Sequence, residues 1–124
     1  MDWANVIEEV QDVGRSELHA CEGLLMQALV HLLKLHVMLD SPAKLHWRGE
    51  AVGFLVQAVR RFSPSMEQRI GLPSVYRDAA KQIRAGLDDP ELLTRLPAAC
   101  PFALRDLLND DPDVATLLAQ LGGD

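Results

Sequence analysis

The first 39 residues contain no proline, and their apolar positions recur at helical spacing. Trp3, Val6, Ile7, Val10, Val13, Leu18, Cys21, Leu24, Leu25, Ala28, Leu32 and Leu35 fall on one face. The pattern predicts one long helix over about 3–39, bent near Gly14 or Gly23. At 1.5 Å per residue it would run about 55 Å. Its two halves differ. The first is amphipathic, with Glu8, Glu9, Asp12, Arg15, His19 and Glu22 on the outer face. In the second, Met26, Leu29, Val30, Leu33 and Val37 occupy the face that should be wet. A helix apolar all round is normally buried all round. The rest of the chain offers few elements to cover it, so these five residues are the expected self-association surface of a homo-oligomer, most simply a dimer.

Asp40-Ser41-Pro42 reads as a stop and a restart, with Ser41 as cap and Pro42 at the first helical position. A second helix is expected over about 42–62, with Leu45, Val52, Leu55, Val59 and Phe62 facing inward. The short turn makes the two helices antiparallel neighbours. Ser63-Pro64-Ser65 repeats the device and opens a third helical region to about Arg84. Gly71-Leu72-Pro73 splits that region, and Val75, Tyr76, Ala79, Ala80 and Ile83 form its apolar face. Three short helices follow, opened at Asp89-Pro90, Cys100-Pro101 and Asp111-Pro112. No segment alternates as a strand. The expected fold is an all-α helical bundle, a single domain over 1–124, with a long N-terminal helical hairpin followed by shorter helices.

Composition narrows the function classes. The chain has 124 residues, 48% of them hydrophobic, which is enough for a core without a metal or disulfide staple. Net charge is −6, against a general nucleic-acid binder. The charge is uneven: residues 41–86 carry a net +5 between two acidic ends. Two cysteines, Cys21 and Cys100, lie far apart and fit no zinc spacing, and are expected reduced and buried. Acids interrupt the N-terminus where a signal peptide would be apolar, so a cytoplasmic protein is expected. The longest apolar run, Leu24 to Leu39, is too short and too polar to span a membrane.

Some polar residues stand where apolar ones are expected. Glu17 falls among Val10, Cys21, Leu24 and Ala28. A carboxylate there needs a partner. In a hairpin turning near residue 40, position 17 lies level with about 62, so Arg60 or Arg61 is the expected partner in a buried ion pair. By the same arithmetic His31 lies level with about 48. His31, Lys34, Trp47 and Arg48 are therefore the candidate ligand or partner site, a basic, aromatic-lined pocket suited to an anion or an acidic partner residue. The histidines at 19, 31, 36 and 46 form no metal-binding pair, and no nucleophile elbow or phosphate-binding glycine loop is present. No metal, cofactor or catalytic residue is expected. Cys100, ahead of Pro101 at a helix start, is expected to be a cap-and-core residue.

The segments DWANVIEEVQDVGRSE at 2–17, HLLKL at 31–35, the Trp47-Arg48 pair, SPSM at 63–66 and CPFALRDLLNDD at 100–111 occur in one order. Together they resemble the bacterial family catalogued as domain of unknown function twenty-nine. The resemblance implies a small α-helical bundle in the cytoplasm and no particular activity. Members usually carry a further helix ahead of the DW segment, which would cover the apolar half of helix one. The reading that follows is a self-associating protein-interaction or scaffold module without catalysis, whose partner is a second copy or another protein and not a membrane. The alternatives are a nucleic-acid-linked regulator using the basic 41–86 segment, or a bundle enzyme using Glu17, His31 and Arg48.

Overall fold

The structure, a computed structural model, describes residues 3–122, with side chains from Gly14 onward. Six α-helices and one 3-10 turn account for its regular structure, and among the described residues there is no strand. They are α1 (Trp3–Val37), α2 (Lys44–Arg61), the turn at Pro64–Met66, α3 (Leu72–Gly86), α4 (Pro90–Leu93), α5 (Leu104–Leu107) and α6 (Val114–Leu121). None of the described helices is long and apolar enough to cross a membrane. The fold is all-α, with the long N-terminal helix in place. The apolar positions of α1 before Gly14, with Glu8, Glu9 and Asp12, lie outside the residues whose side chains are described.

α1 is the axis of the bundle. It packs against α2, α3 and α6, and α2 also meets α6. The second half of α1 is therefore enclosed by its own chain. Leu25, Ala28, Leu29, Leu32, Leu33 and Val37 are fully buried, Val30 nearly so, and Met26 is half-buried. This corrects the expected self-association surface. α3 lies along it, with Val75 beside Met26 and Ile83 beside Val30. Each fully buried leucine or valine contributes about 1.5–3 kcal/mol, enough to fix α1 at the centre.

The connection between the two helices is longer than the sequence suggested. α1 stops at Val37, where Arg95 Nη1 donates to the Val37 carbonyl at 2.9 Å. His36 Nε2 donates to the Arg95 carbonyl at 3.0 Å. A guanidinium at a helix C-terminus satisfies an orphan carbonyl and meets the negative end of the dipole. Ser41 Oγ accepts from the Ala43 amide at 3.1 Å, inside the turn, so α2 starts at Lys44 and not at Pro42. The inward face of α2 also differs from the expected one. Ala51, Leu55 and Ala58 are buried, Val52, Val59 and Phe62 are half-buried, and Leu45 is exposed. The α1–α2 seam is built from small residues. Cys21 Sγ donates to the Ala58 carbonyl at 3.6 Å, and burial, with Glu22 beside it, pushes the Cys21 thiol up from its ordinary pKa.

Pro73 opens α3 near its first turn, as its fixed φ favours. Glu22 of α1 accepts the Gly71 amide at 3.1 Å and ties the start of α3 to the axis. Asp89 caps α4 by accepting from the Glu91 and Leu92 amides. Asp113 caps α6 by accepting from the Thr116 amide and hydroxyl. Cys100-Pro101 opens no helix: α5 begins at Leu104, and Asp106 accepts the Ala103 amide at 2.8 Å.

Two leucines separate this architecture from the expected one. Leu33→Ala should lower unfolding free energy by about 2–5 kcal/mol, because a fully buried side chain leaves a cavity. Leu45→Ala should change it by less than about 0.5 kcal/mol. Urea denaturation followed by circular dichroism measures both. Equal effects would contradict this placement of the two faces.

Candidate functional site

The four residues expected to form one pocket divide between two sides of α2. On one side, Lys34 Nζ stands 5.7 Å from the centre of the Trp47 ring, within cation–π range. His31 lies against Phe54, ring centres 5.4 Å apart. Its Nδ1 donates to the Gln27 carbonyl at 2.7 Å, one turn back on the same helix. A backbone carbonyl can only accept, so Nδ1 carries a proton. These contacts account for His31 and Lys34 as residues sealing the α1–α2 seam.

Arg48 is on the other side. Successive residues on a helix are turned by about 100°, so Trp47 and Arg48 cannot both face α1. Arg48 is exposed and lines a groove of about 460 Å³ at the turn end of the bundle, with Lys44, Leu45, Leu39, Leu35 and Leu118. α1, the turn, α2 and α6 all contribute to it. Leu45 is 84% exposed and Leu39 52%, and both border this groove. Lys44 and Arg48 are four residues apart, one above the other on α2. The groove thus combines an apolar floor with two cations. Sequence reasoning missed it because Leu45 fits the inward spacing of α2. The face of α2 that packs on α1 is instead centred on Ala51, Leu55 and Ala58, which turns Leu45 outward.

Glu17 and Arg61 do meet, with Oε2 3.6 Å from Nη1. The pair lies at the surface, with exposures of 48% and 51%, which corrects the expected burial. The core stripe of α1 passes through Leu18, Cys21 and Leu25, leaving Glu17 one position to the side. A pair this exposed contributes about 0–1 kcal/mol. Arg60 is exposed. Glu17 and His31 are 14 residues apart on one helix, about 21 Å along the axis, and Arg48 lies on the far side of α2. Among the described residues, Glu17, His31 and Arg48 thus stand apart and do not form the shared cleft expected of them.

The basic 41–86 segment is likewise dispersed. Lys44 and Arg48 line the turn-end groove, Arg61 pairs with Glu17, and Arg77 and Arg84 line a separate cleft beside α3. Cys100 is half-buried away from any helix start, and burial pushes its thiol up from the ordinary value. Among the described residues, no three histidine, cysteine or acidic side chains are grouped to hold a metal ion.

Comparison with known proteins agrees with this architecture. A family model described as "Domain of unknown function DUF29" matches residues 1–112. No curated protein matches the chain. A solved structure, an α-helical protein of unknown function from Rhodospirillum rubrum, is similar at a TM-score of 0.84 and 26% identity. The match covers 98% of this chain and 78% of that one.

Asp113, at the start of α6, offers a pH signature. The Thr116 hydroxyl and then the Thr116 amide hold its carboxyl below the usual aspartate pKa, with a smaller contribution from Arg48. A depressed folded pKa adds stability above the unfolded value, near 3.9, which is lost as pH falls through the folded value. Asp113→Ala should therefore lower Tm at neutral pH and converge on the parent as pH falls through the folded value. Thermal melts across pH measure this, and a constant gap down to low pH would contradict the assignment.

Proposed function

The chain belongs to the DUF29 family, and from that premise we propose that it is a protein-interaction module whose docking site is the turn-end groove. The observation that supports this reading is the placement of Leu39 and Leu45, two large exposed apolar side chains, beside Lys44 and Arg48 in one concavity. Leaving a leucine four-fifths in water gains nothing for folding, whereas covering it in a complex is favourable by about 25 cal/mol per Å². Apolar anchors with a cationic rim suit an amphipathic segment that carries acids beside its apolar face. The protein as a whole is acidic, so the two cations steer such a segment to this end of the bundle rather than elsewhere.

The remaining features of the chain agree with binding rather than catalysis. His31 and Lys34 are engaged in the helix seam, and Glu17 sits in a surface pair. A scaffold needs a rigid platform, and the groove stands on the buried end of α1, where Leu35 forms part of its floor.

A photo-crosslinking residue at position 45 tests the proposal. It should capture a segment with alternating acidic and apolar faces, and a synthetic peptide of that segment should bind the full chain. Arg48→Glu should weaken binding about tenfold or more, and added salt should weaken it further. The same probe at Gln57, which is exposed on α2, should capture nothing. Light scattering over a concentration series distinguishes the partners: a dimer lost in Leu45→Asp would make the partner a second copy. A captured segment insensitive to both Arg48→Glu and Leu45→Asp would overturn the proposal.

A further inference from the structure

A second concavity, independent of the turn-end groove, lies between α3 and the 97–100 segment, with a volume of about 370 Å³. Arg77 and Arg84 border it, both exposed and both on α3. They are seven residues apart, two turns of one helix face, so their backbones stand about 10 Å apart along the axis. Between them lies Ala80, and across from them lie Ala98, Ala99 and Cys100. The cleft therefore has a guanidinium on each side of a smooth, small-residue floor, and no acidic residue lines it.

The opposite wall is held in place. The Tyr76 hydroxyl donates to the Pro97 carbonyl, which ties the 97–100 segment to α3. Burial pushes the Tyr76 hydroxyl up to about 12, Cys100 adds to the rise and Arg84 opposes it, so all three groups share this corner. Arg77 is oriented as well: its Nη2 donates to Ser74 Oγ at 3.1 Å, one turn back. A guanidinium retains further donors after one such bond and pairs in a fork with carboxylate or phosphate oxygens. Alanines close to a helix leave room for a ligand body without competing polar groups.

We propose that this cleft binds a small molecule with an oxyanion group at each end, one on Arg77 and one on Arg84, its apolar middle lying on Ala80, Ala98 and Ala99. Carboxylates and phosphoryl groups share the required chemistry, and two probes separate them. Suberate carries two carboxylates, hexane-1,6-bisphosphonate carries two phosphonates, and inorganic phosphate serves as the single-ended control.

Amide chemical shifts of the full chain give the first readout. A two-ended probe should move the signals of Ala80, Ala98 and Ala99 saturably. Cys100 gives the second. Its alkylation by iodoacetamide at mildly alkaline pH should slow about tenfold when the probe stands about ten times above its Kd, by mass action. Cys21 is fully buried and serves as the unreactive reference. Arg84→Gln should weaken binding about tenfold, and Arg77→Gln combined with it should abolish both effects. Both arginines are exposed, so the variants retain the fold, which circular dichroism verifies. Ala98→Leu should fill the cleft and remove binding with both arginines in place. Binding of the bisphosphonate alone identifies phosphoryl ligands, and binding of suberate alone identifies dicarboxylates. No saturable shift with either, inorganic phosphate as effective as both, or effects that survive in the double variant would overturn the proposal.

Discussion

The structure depends on one constraint: the second half of α1 is apolar over most of its circumference and has to be enclosed. Leu25, Leu29, Leu32, Leu33 and Val37 are fully buried, and with Val30 and Leu35 the buried positions cover more than half of the helix circumference. A single neighbouring helix covers one stripe. Full enclosure takes α2, α3 and α6 together, and this sets the order of the bundle. The remaining helices take their places by what part of this axis they cover. Polar groups are kept to the edges, where the Gln27 and Val37 carbonyls meet His31 and Arg95.

The site follows from the same constraint. The axis ends at Val37, and the turn that follows must reverse the chain without continuing the helix. Ser41 closes that turn on Ala43, and α2 packs on α1 through Ala51, Leu55 and Ala58, which leaves Lys44, Leu45 and Arg48 on its outer side. The proposed docking surface is thus the side of α2 that its packing on α1 leaves uncovered.

Helical periodicity made the long helix, the hairpin and the capped short helices legible, because those signals are local. Asp89 caps α4 at the expected Asp-Pro step, whereas α6 starts beyond Pro112 and is capped by Asp113 and not opened at Asp111. Hairpin arithmetic likewise placed Glu17 level with Arg61. What was not legible was which side of a helix finds a neighbour. An all-round apolar helix is compatible with enclosure by its own chain or by another copy, and only the path of α3 decides between them. Burial of Glu17 failed for a related reason. Leu18, Cys21 and Leu25 carry the core stripe at that end of α1, and position 17 stands one residue to its side. Trp47 and Arg48 could not be assigned to one pocket from their adjacency, since neighbours in a helix face different ways.

The dependence of α1 on α3 also has a consequence in time. A ribosome delivers Leu29, Val30, Leu33 and Val37 well before Ile83, with about 50 residues between the ends of α1 and α3. At about 5–20 residues per second, the most apolar stretch of the chain stays uncovered for about 2.5–10 s of synthesis. α2 emerges first and can shield only the face that carries Cys21 and the seam. The growing chain therefore passes through a stage in which a nearly finished hairpin shows its apolar back to the cell, and holding chaperones have their best opportunity in that interval.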